Sequence, residues 1–396
     1  MRRVCVLILL LLAPPAYAED TLRDAVERAW ARQPAALAQP ARSEEFTAKR
    51  DAAQALFPEP PSLSAGNRND RLNRNDGQSE WETEISLPLW LPGQQGRLNA
   101  IVSAEEDQYR AAAAAGKWKI AGDVRENYWQ ARVAQNEIEL AQRKAQDAAA
   151  LADDVARRVK AGDLARVDLN QAQGAERLAR AALTEAEMKA FRAQQAFEVL
   201  TGLTTPANGV EEPATEMPAL DGHPQLTHLQ RAVATAQAKL RQVSQDSRNN
   251  PELELAMRRE RAMFDEPYAN SLSFRFRLPF ATDARNKPRI AAANAEMIEA
   301  LAAYDVERKK VSAEIDAARR ELEQSRTVVQ LTEARFALAA DTQRLLAKAF
   351  ALGELDLVAR LRAENERFDA ELIFARTKLE AARAISRLNQ ALGVLP

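Results

Sequence analysis

Hydrophobic positions along this chain follow two periods. From Ile120 they recur at alternating steps of four and three: Ile120, Val124, Asn127, Ala131, Ala134, Ile138, Ala141, Ala145, Ala148, Ala152, Val155 and Val159. This is the seam of a coiled coil with one polar interruption. Adding 191 to each number gives Val311, Ile315, Ala318, Leu322, Ser325, Val329, Thr332, Phe336, Ala339, Gln343, Leu346 and Phe350. The second seam falls on the first position by position, so the chain carries the same hairpin twice.

Breaker residues repeat at the same interval. Gly162 in "AGDL" answers Gly353 in "LGEL", Gly202 in "LTGL" answers Gly393 in "ALGV", and Pro88 answers Pro279, each 191 residues later. Upstream the interval is 190, from Pro34 to Pro224 and from Pro61 to Pro251. A one-residue length change between Pro61 and Pro88 accounts for the difference and fits best in a loop. The expected organisation is a leader over 1–18, a first structural repeat over 19–202, a Pro- and Gly-rich connector over 203–224, and a second repeat over 225–396. In each repeat a short helical segment comes first, over 21–57 (broken at Pro34 and Pro40) and 225–248. Long helices are expected over 97–160 and 289–350, and return helices over 163–201 and 354–392. At about 1.5 Å per residue the long arm measures roughly 95 Å, beyond any compact domain, so it must pack as a coiled coil.

The other period is two. In "EWETEISLPLW" Glu80, Glu82 and Glu84 alternate with Trp81, Thr83, Ile85, Leu87 and Leu89. Shifted by 191, the apolar set becomes Leu272, Phe274, Phe276, Leu278 and Phe280, while the polar set becomes Ser273, Arg275 and Arg277. Strands are expected near 62–71, 80–90, 251–260 and 271–280, with Asp76-Gly77 as a hairpin turn signal. Each is about ten residues long, the length a tilted transmembrane strand needs. A small soluble sheet packed on helices would alternate in the same way. If the strands do span a membrane, Trp81, Ile85, Leu87, Leu272, Phe274, Phe276 and Leu278 face lipid, and Glu80, Glu82, Glu84, Arg275 and Arg277 face the lumen. Four strands cannot close a barrel alone and open edges are not tolerated in lipid, so several chains would have to share one.

Composition narrows the picture. "MRRVCVLILLLLAPPAYAED" has the basic start, apolar core and Ala-Tyr-Ala site of a secretory signal peptide cut before Glu19. The only cysteine, Cys5, lies inside it, so the mature chain has no disulfide, no thiolate metal site and no lipid attachment point. Past residue 19 no apolar run reaches membrane-spanning length. Charged residues make up 28% of the chain at a net charge of −2, which suits long surface-rich helices and gives no electrostatic footprint for nucleic acid. Two histidines, His223 and His228, sit near the connector, and Met257 and Met263 in or near a strand. With no mature cysteine and no phosphate-loop glycines, no catalytic, cofactor or metal site is expected.

With these features in order along essentially the whole mature chain, the sequence resembles the TolC-like outer-membrane efflux family. The turn motifs "AGDLARVDLNQAQ" (161–173) and "LGELDLVARLRAE" (351–363) are its most typical local signatures, and "LTGL" and "ALGV" close each half in its manner. The resemblance implies a mainly α fold with membrane β: tandem long α-helical hairpins forming an α-barrel through the periplasm, and four strands per chain in a shared twelve-stranded β-barrel of a homotrimer. It implies a duct that catalyses no reaction and docks to a periplasmic adaptor and an inner-membrane resistance–nodulation–division pump. "PLWLPGQQGR" (88–97) is similar to members of heavy-metal systems of the cobalt–zinc–cadmium type, with drug- or solvent-exporting members as the alternative. The resemblance also makes Gly162, Asp163, Asp168, Gly353 and Glu354 the periplasmic tip and adaptor contact. Asp168 matches an acidic position near the entrance, but its repeat counterpart is Ala359, flanked by Arg360 and Arg362, a departure from members with acidic rings there. The same residues have a plainer reading: a glycine ends each helix and a carboxylate favours the start of the next. A periplasmic coiled-coil adaptor would show one hairpin and Gly-rich strands, and a purely structural coiled coil would not need strands of membrane-spanning length.

Overall fold

A computed structural model describes residues 21–204, 212–215 and 220–396. The expected signal peptide, its cleavage site, and connector residues 205–211 and 216–219 lie outside the described residues.

The expected first helical segment is three helices, α1 (Leu22–Ala31), α2 (Pro34–Leu37) and α3 (Gln39–Ala53), with Pro34 and Pro40 each in a first turn. A proline there removes only an N–H that has no partner in any case. Next come β1 (Ser62–Asn69), β2 (Ser79–Pro88), α4 (Gln94–Ala161) and α5 (Arg166–Thr201). After the connector follow α6 (Pro224–Gln245), β3 (Glu252–Arg261), β4 (Ala269–Arg277), α7 (Asp283–Ala351) and α8 (Leu357–Ala391). Helix α7 starts six residues before the expected 289 and runs through Pro288, which costs one backbone hydrogen bond close to the N-terminus. Among the described residues no helix is long and apolar enough to cross a membrane.

The long helices form one layer: α4 packs on both α5 and α8, and α8 packs on α7. All 24 seam positions are buried or half-buried. One core gathers Leu22, Val26, Val124, Trp129 and Phe197 from α1, α4 and α5; a second gathers Leu226, Val311, Ile315 and Leu388 from α6, α7 and α8. The ends of the return helices explain why glycine and proline recur at matching positions. Helix α8 stops at Gly393, in left-handed conformation, and α6 begins against it at Pro224. A Cβ at Gly393 would meet Pro224 Cδ at 2.7 Å and His223 Cδ2 at 2.8 Å. Gly202 likewise has positive φ and closes α5 against Arg32, just before Pro34. In each case a short helix abuts the end of a return helix.

The connector is held where it is described. Arg125 of α4 donates through Nε to Glu212 Oε2 (3.0 Å) and through Nη2 to Oε1 (2.7 Å), and both residues are buried. Arg125 Nη1 donates to Gln390 Oε1 (2.5 Å), and Gln390 exchanges two further bonds with Trp118. Asn389 accepts from the Thr215 backbone N–H and donates to the Pro213 carbonyl.

His223 sits at the same junction. Its Nδ1 accepts from the Gln225 N–H (3.3 Å), capping α6, and its ring meets Trp118 edge-on at 4.7 Å. Both contacts suit neutral imidazole, and burial lowers its pKa from the ordinary 6.5. Below that ordinary value the unfolded chain binds the proton more readily than the folded one. Stability should therefore fall as pH drops through 6.5 toward the lowered folded value, and this group should contribute no slope above it. His223→Asn keeps a capping acceptor, so its denaturation midpoint should vary less with pH between 7.5 and 5 than that of the parent chain. Equal slopes would remove His223 as the cause.

Candidate functional site

The four strands form one antiparallel sheet in the order β1-β2-β3-β4. Every helix connection leaves from one end of it, and the loops 70–78 and 262–268 lie at the other. Residues that face each other across an antiparallel pair share a side of the sheet, so the register sorts all four strands into two faces.

One face is charged. Glu82 stands opposite Arg258, Glu254 opposite Arg275, and Glu252 opposite Arg277. Arg258 bridges Glu80 (2.9 Å) and Glu82 (3.3 Å). Arg275 bridges Glu254 (2.6 Å) and Glu84 (3.7 Å), and Arg277 bridges Glu252 (3.4 Å) and Glu254 (3.5 Å). The predicted Glu80, Glu82, Glu84, Arg275 and Arg277 are thus brought together in one ladder across three strands. Sequence reasoning omitted Glu252, Glu254 and Arg258, its middle rung. Their signal was available: "ELELAMRRER" alternates with the same period as its neighbours.

The other face is apolar. Leu63, Ile85, Leu255 and Phe274 form a single row across all four strands. Leu87, Leu253 and Phe276 form the next row toward the helices, and Thr83, Met257 and Leu272 the next toward the loops. Phe274 is 73% exposed and Trp81 57% exposed. Large side chains left this open on a soluble surface mark a contact with something else. The edges are open too: among the described residues β1 pairs only with β2, and β4 only with β3. From Trp81 to Leu89, eight steps at about 3.4 Å cover roughly 27 Å along the strand, or roughly 20 Å at a barrel tilt near 40°, close to the apolar band of about 25 Å that membrane barrels carry.

At the far end of the helices, Gly162 (φ 90°) and Gly353 (φ 77°) hold left-handed turns. The Asp163 N–H returns to the Arg158 carbonyl and the Glu354 N–H to that of Ala349, closing both helix ends. The return helices begin at Arg166 and Leu357, later than the expected 163 and 354, so Asp163 and Glu354 lie in the turns and do not start the helices. The carboxylates that do so are Asp168, accepting from the Ala165 N–H at 3.0 Å, and Asp356, accepting from the Ala359 N–H at 2.9 Å. The two tips also join. Leu151, Val155 and Ala172 of one hairpin pack with Phe350 and Leu357 of the other. The Phe350 ring takes Arg158 at 5.2 Å and Arg360 at 4.9 Å. Nothing in the heptad spacing links Phe350 to the other hairpin's Arg158, because the pairing of hairpins is a tertiary event.

Known proteins share this arrangement in part. Residues 25–203 match the family model described as outer membrane efflux protein. The match runs from within α1 to just past α5 and takes in β1 and β2. No curated protein matches the sequence. Among solved structures, the chain is similar to CusC, at 17% identity and TM-score 0.76 over 95% of this chain and 93% of that one. It is similar to the outer membrane protein VceC of Vibrio cholerae, at 17% identity and TM-score 0.75 over 94% and 96%. It is also similar to the CmeC outer membrane channel of Campylobacter jejuni, at 14% identity and TM-score 0.75 over 94% and 85%. At these identities the likeness establishes the fold: helical hairpins bearing a four-stranded sheet, shared with outer-membrane channels.

Proposed function

We propose that this chain is the outer-membrane exit duct of a tripartite resistance–nodulation–division efflux system, working as a passive homotrimer that catalyses no reaction. The register of the sheet carries the reading. A sheet with one charged face, one apolar face and two bare edges is satisfied in lipid only when the edges meet, because each unpaired backbone group there costs several kcal/mol. Pairing β1 of one copy with β4 of the next closes such a sheet, and three copies give twelve strands. The apolar rows then meet lipid, and the ladder of glutamates and arginines lines a wet lumen. The matched family model and the channel folds support the same reading.

In this arrangement Gly162, Asp163, Asp168, Gly353 and Glu354 lie at the periplasmic tip, where an adaptor and through it the inner-membrane pump would dock. The cargo we assign is heavy-metal cations, on the resemblance carried by "PLWLPGQQGR" (88–97). Selectivity for the metal would belong to the pump, since a duct need not bind its cargo tightly.

Membrane fractionation tests the channel reading: the expected result is a heat-modifiable trimer in the outer membrane, and a soluble periplasmic monomer overturns it. Deleting the gene should lower tolerance to zinc, cobalt or cadmium. Unchanged metal tolerance with lowered drug or solvent tolerance would move the cargo to that class. Glu82→Gln with Glu84→Gln should reduce cation-over-anion preference in a reconstituted channel. One charge at ~10 Å in water is worth about 0.4 kcal/mol, so at least about a twofold change is expected. An unchanged preference would place these glutamates outside the lumen.

A further inference from the structure

The arginines of β3 and β4 fall into two groups. Arg258, Arg275 and Arg277, on the charged face, are each paired with glutamates. Arg259 and Arg261 lie on the other face, since Arg259 stands opposite Trp81 and Asn270, and Arg261 opposite Ser79. Among the described residues neither forms an ion pair. Aromatic rings hold them in place. The Arg259 and Arg261 guanidinium carbons lie 4.5 and 4.8 Å from the centroid of the Tyr268 ring, and Arg261 also lies 5.2 Å from that of Phe264. Arg261 spends its Nε on the Gly77 carbonyl (3.0 Å), and among the described residues its two terminal nitrogens are uncommitted.

Their height on the sheet gives this cluster a meaning. It sits just beyond the apolar rows, level with Trp81, at the loop end of the strands and away from every helix connection. In a membrane barrel this is where an aromatic girdle meets the headgroups. Unpaired guanidinium forks at that level are suited to phosphate, which they bind bidentately. Contact with the Tyr268 ring restrains both arginines without neutralising their charge.

We propose that Arg259 and Arg261, braced by Tyr268 and Phe264, form a binding site for the phosphate of a lipid headgroup in the outer leaflet, one site per chain. The proposal rests on the membrane reading above and adds a ligand to the outward face. The test uses the full chain, purified as its assembled form in detergent and titrated with diphosphoryl lipid A, or with a phosphate-free glycolipid, under native mass spectrometry. The wild type should prefer the phosphorylated lipid. At about fivefold per arginine near a headgroup layer, Arg259→Gln with Arg261→Gln should weaken that binding roughly thirtyfold. Arg71→Gln with Arg74→Gln, in the neighbouring loop, should leave it within about twofold. Inorganic phosphate at millimolar concentration should not displace the lipid, because the site sits beside an apolar face that only a lipid fills.

Equal binding of both lipids by the wild type, or an equal loss in the loop variant, overturns the site while leaving the channel reading intact. Displacement by inorganic phosphate would also overturn it, assigning the arginines to a free anion. A wild-type chain that fails to enter a bilayer overturns the channel reading and this site with it. Retention of the assembled form by both double variants shows that any loss is one of binding, not of folding.

Discussion

Replacing Phe274 with arginine should nearly abolish assembled protein in the outer membrane, while Ser273→Arg, one residue away, should be tolerated. Phe274 lies in the row that crosses all four strands with Leu63, Ile85 and Leu255. In a closed barrel that row is near mid-membrane, where an arginine costs about 2–4 kcal/mol per site. A trimer suffers the cost three times over. Ser273 belongs to the other face, opposite Ala256 and between the ion-paired rows of Glu254 and Arg258. A charge there joins charges already present. Heat-modifiable trimer in the outer-membrane fraction gives the readout for both variants. Equal yields would mean that the two faces do not see different solvents, and the proposed barrel would fall.

A second large effect is expected away from the sheet. Arg125 is 3% exposed and Glu212 8% exposed, and the pair is joined in a fork. Arg125→Ala leaves Glu212 buried without its partner, and breaking a buried pair in this way costs about 3–5 kcal/mol. Removing both charges with Arg125→Met and Glu212→Leu should recover most of the loss, because desolvation no longer has to be offset by the ion pair. Denaturant midpoints of the solubilised protein measure both. If the double variant is as unstable as Arg125→Ala, the pair contributes by fixing the connector against Gln390 and Asn389, and the cost of a buried charge is not the cause.

Much of the helical part was legible because its signals are local. A step of four and three specifies one face of a helix wherever it occurs, and the seam positions named from spacing alone are all buried or half-buried. Gly162 and Gly353 marked the turns because left-handed backbone is costly for any residue with a Cβ. Boundaries were less legible. Asp163 and Glu354 look like helix starters, yet Asp168 and Asp356 accept the capping bonds, since the turns take four and five residues before the helix resumes. The charged face was half legible: Glu80, Glu82 and Glu84 announce it, but the partner of each depends on strand order. Alternation along β3 already sets Arg259 and Arg261 on the face opposite Arg258, but their contacts with Tyr268 and Phe264 depend on how the loop folds back.

The sequence by itself determined the periodic elements, the alternation of apolar and charged positions along the strands, and the duplicated order of hairpin and strand, since these follow from side-chain spacing along a single chain. The tertiary structure decided which elements meet. It set the order β1-β2-β3-β4, which places Arg275 between Glu254 and Glu84, and it brought Phe350 of one hairpin between Arg158 of the other and Arg360 of its own. It also buried Glu212 of the connector against Arg125, 87 residues away. These contacts join groups far apart in the chain. Their partners are selected by geometric fit and by the need to satisfy buried charge and open edges, which no local spacing encodes.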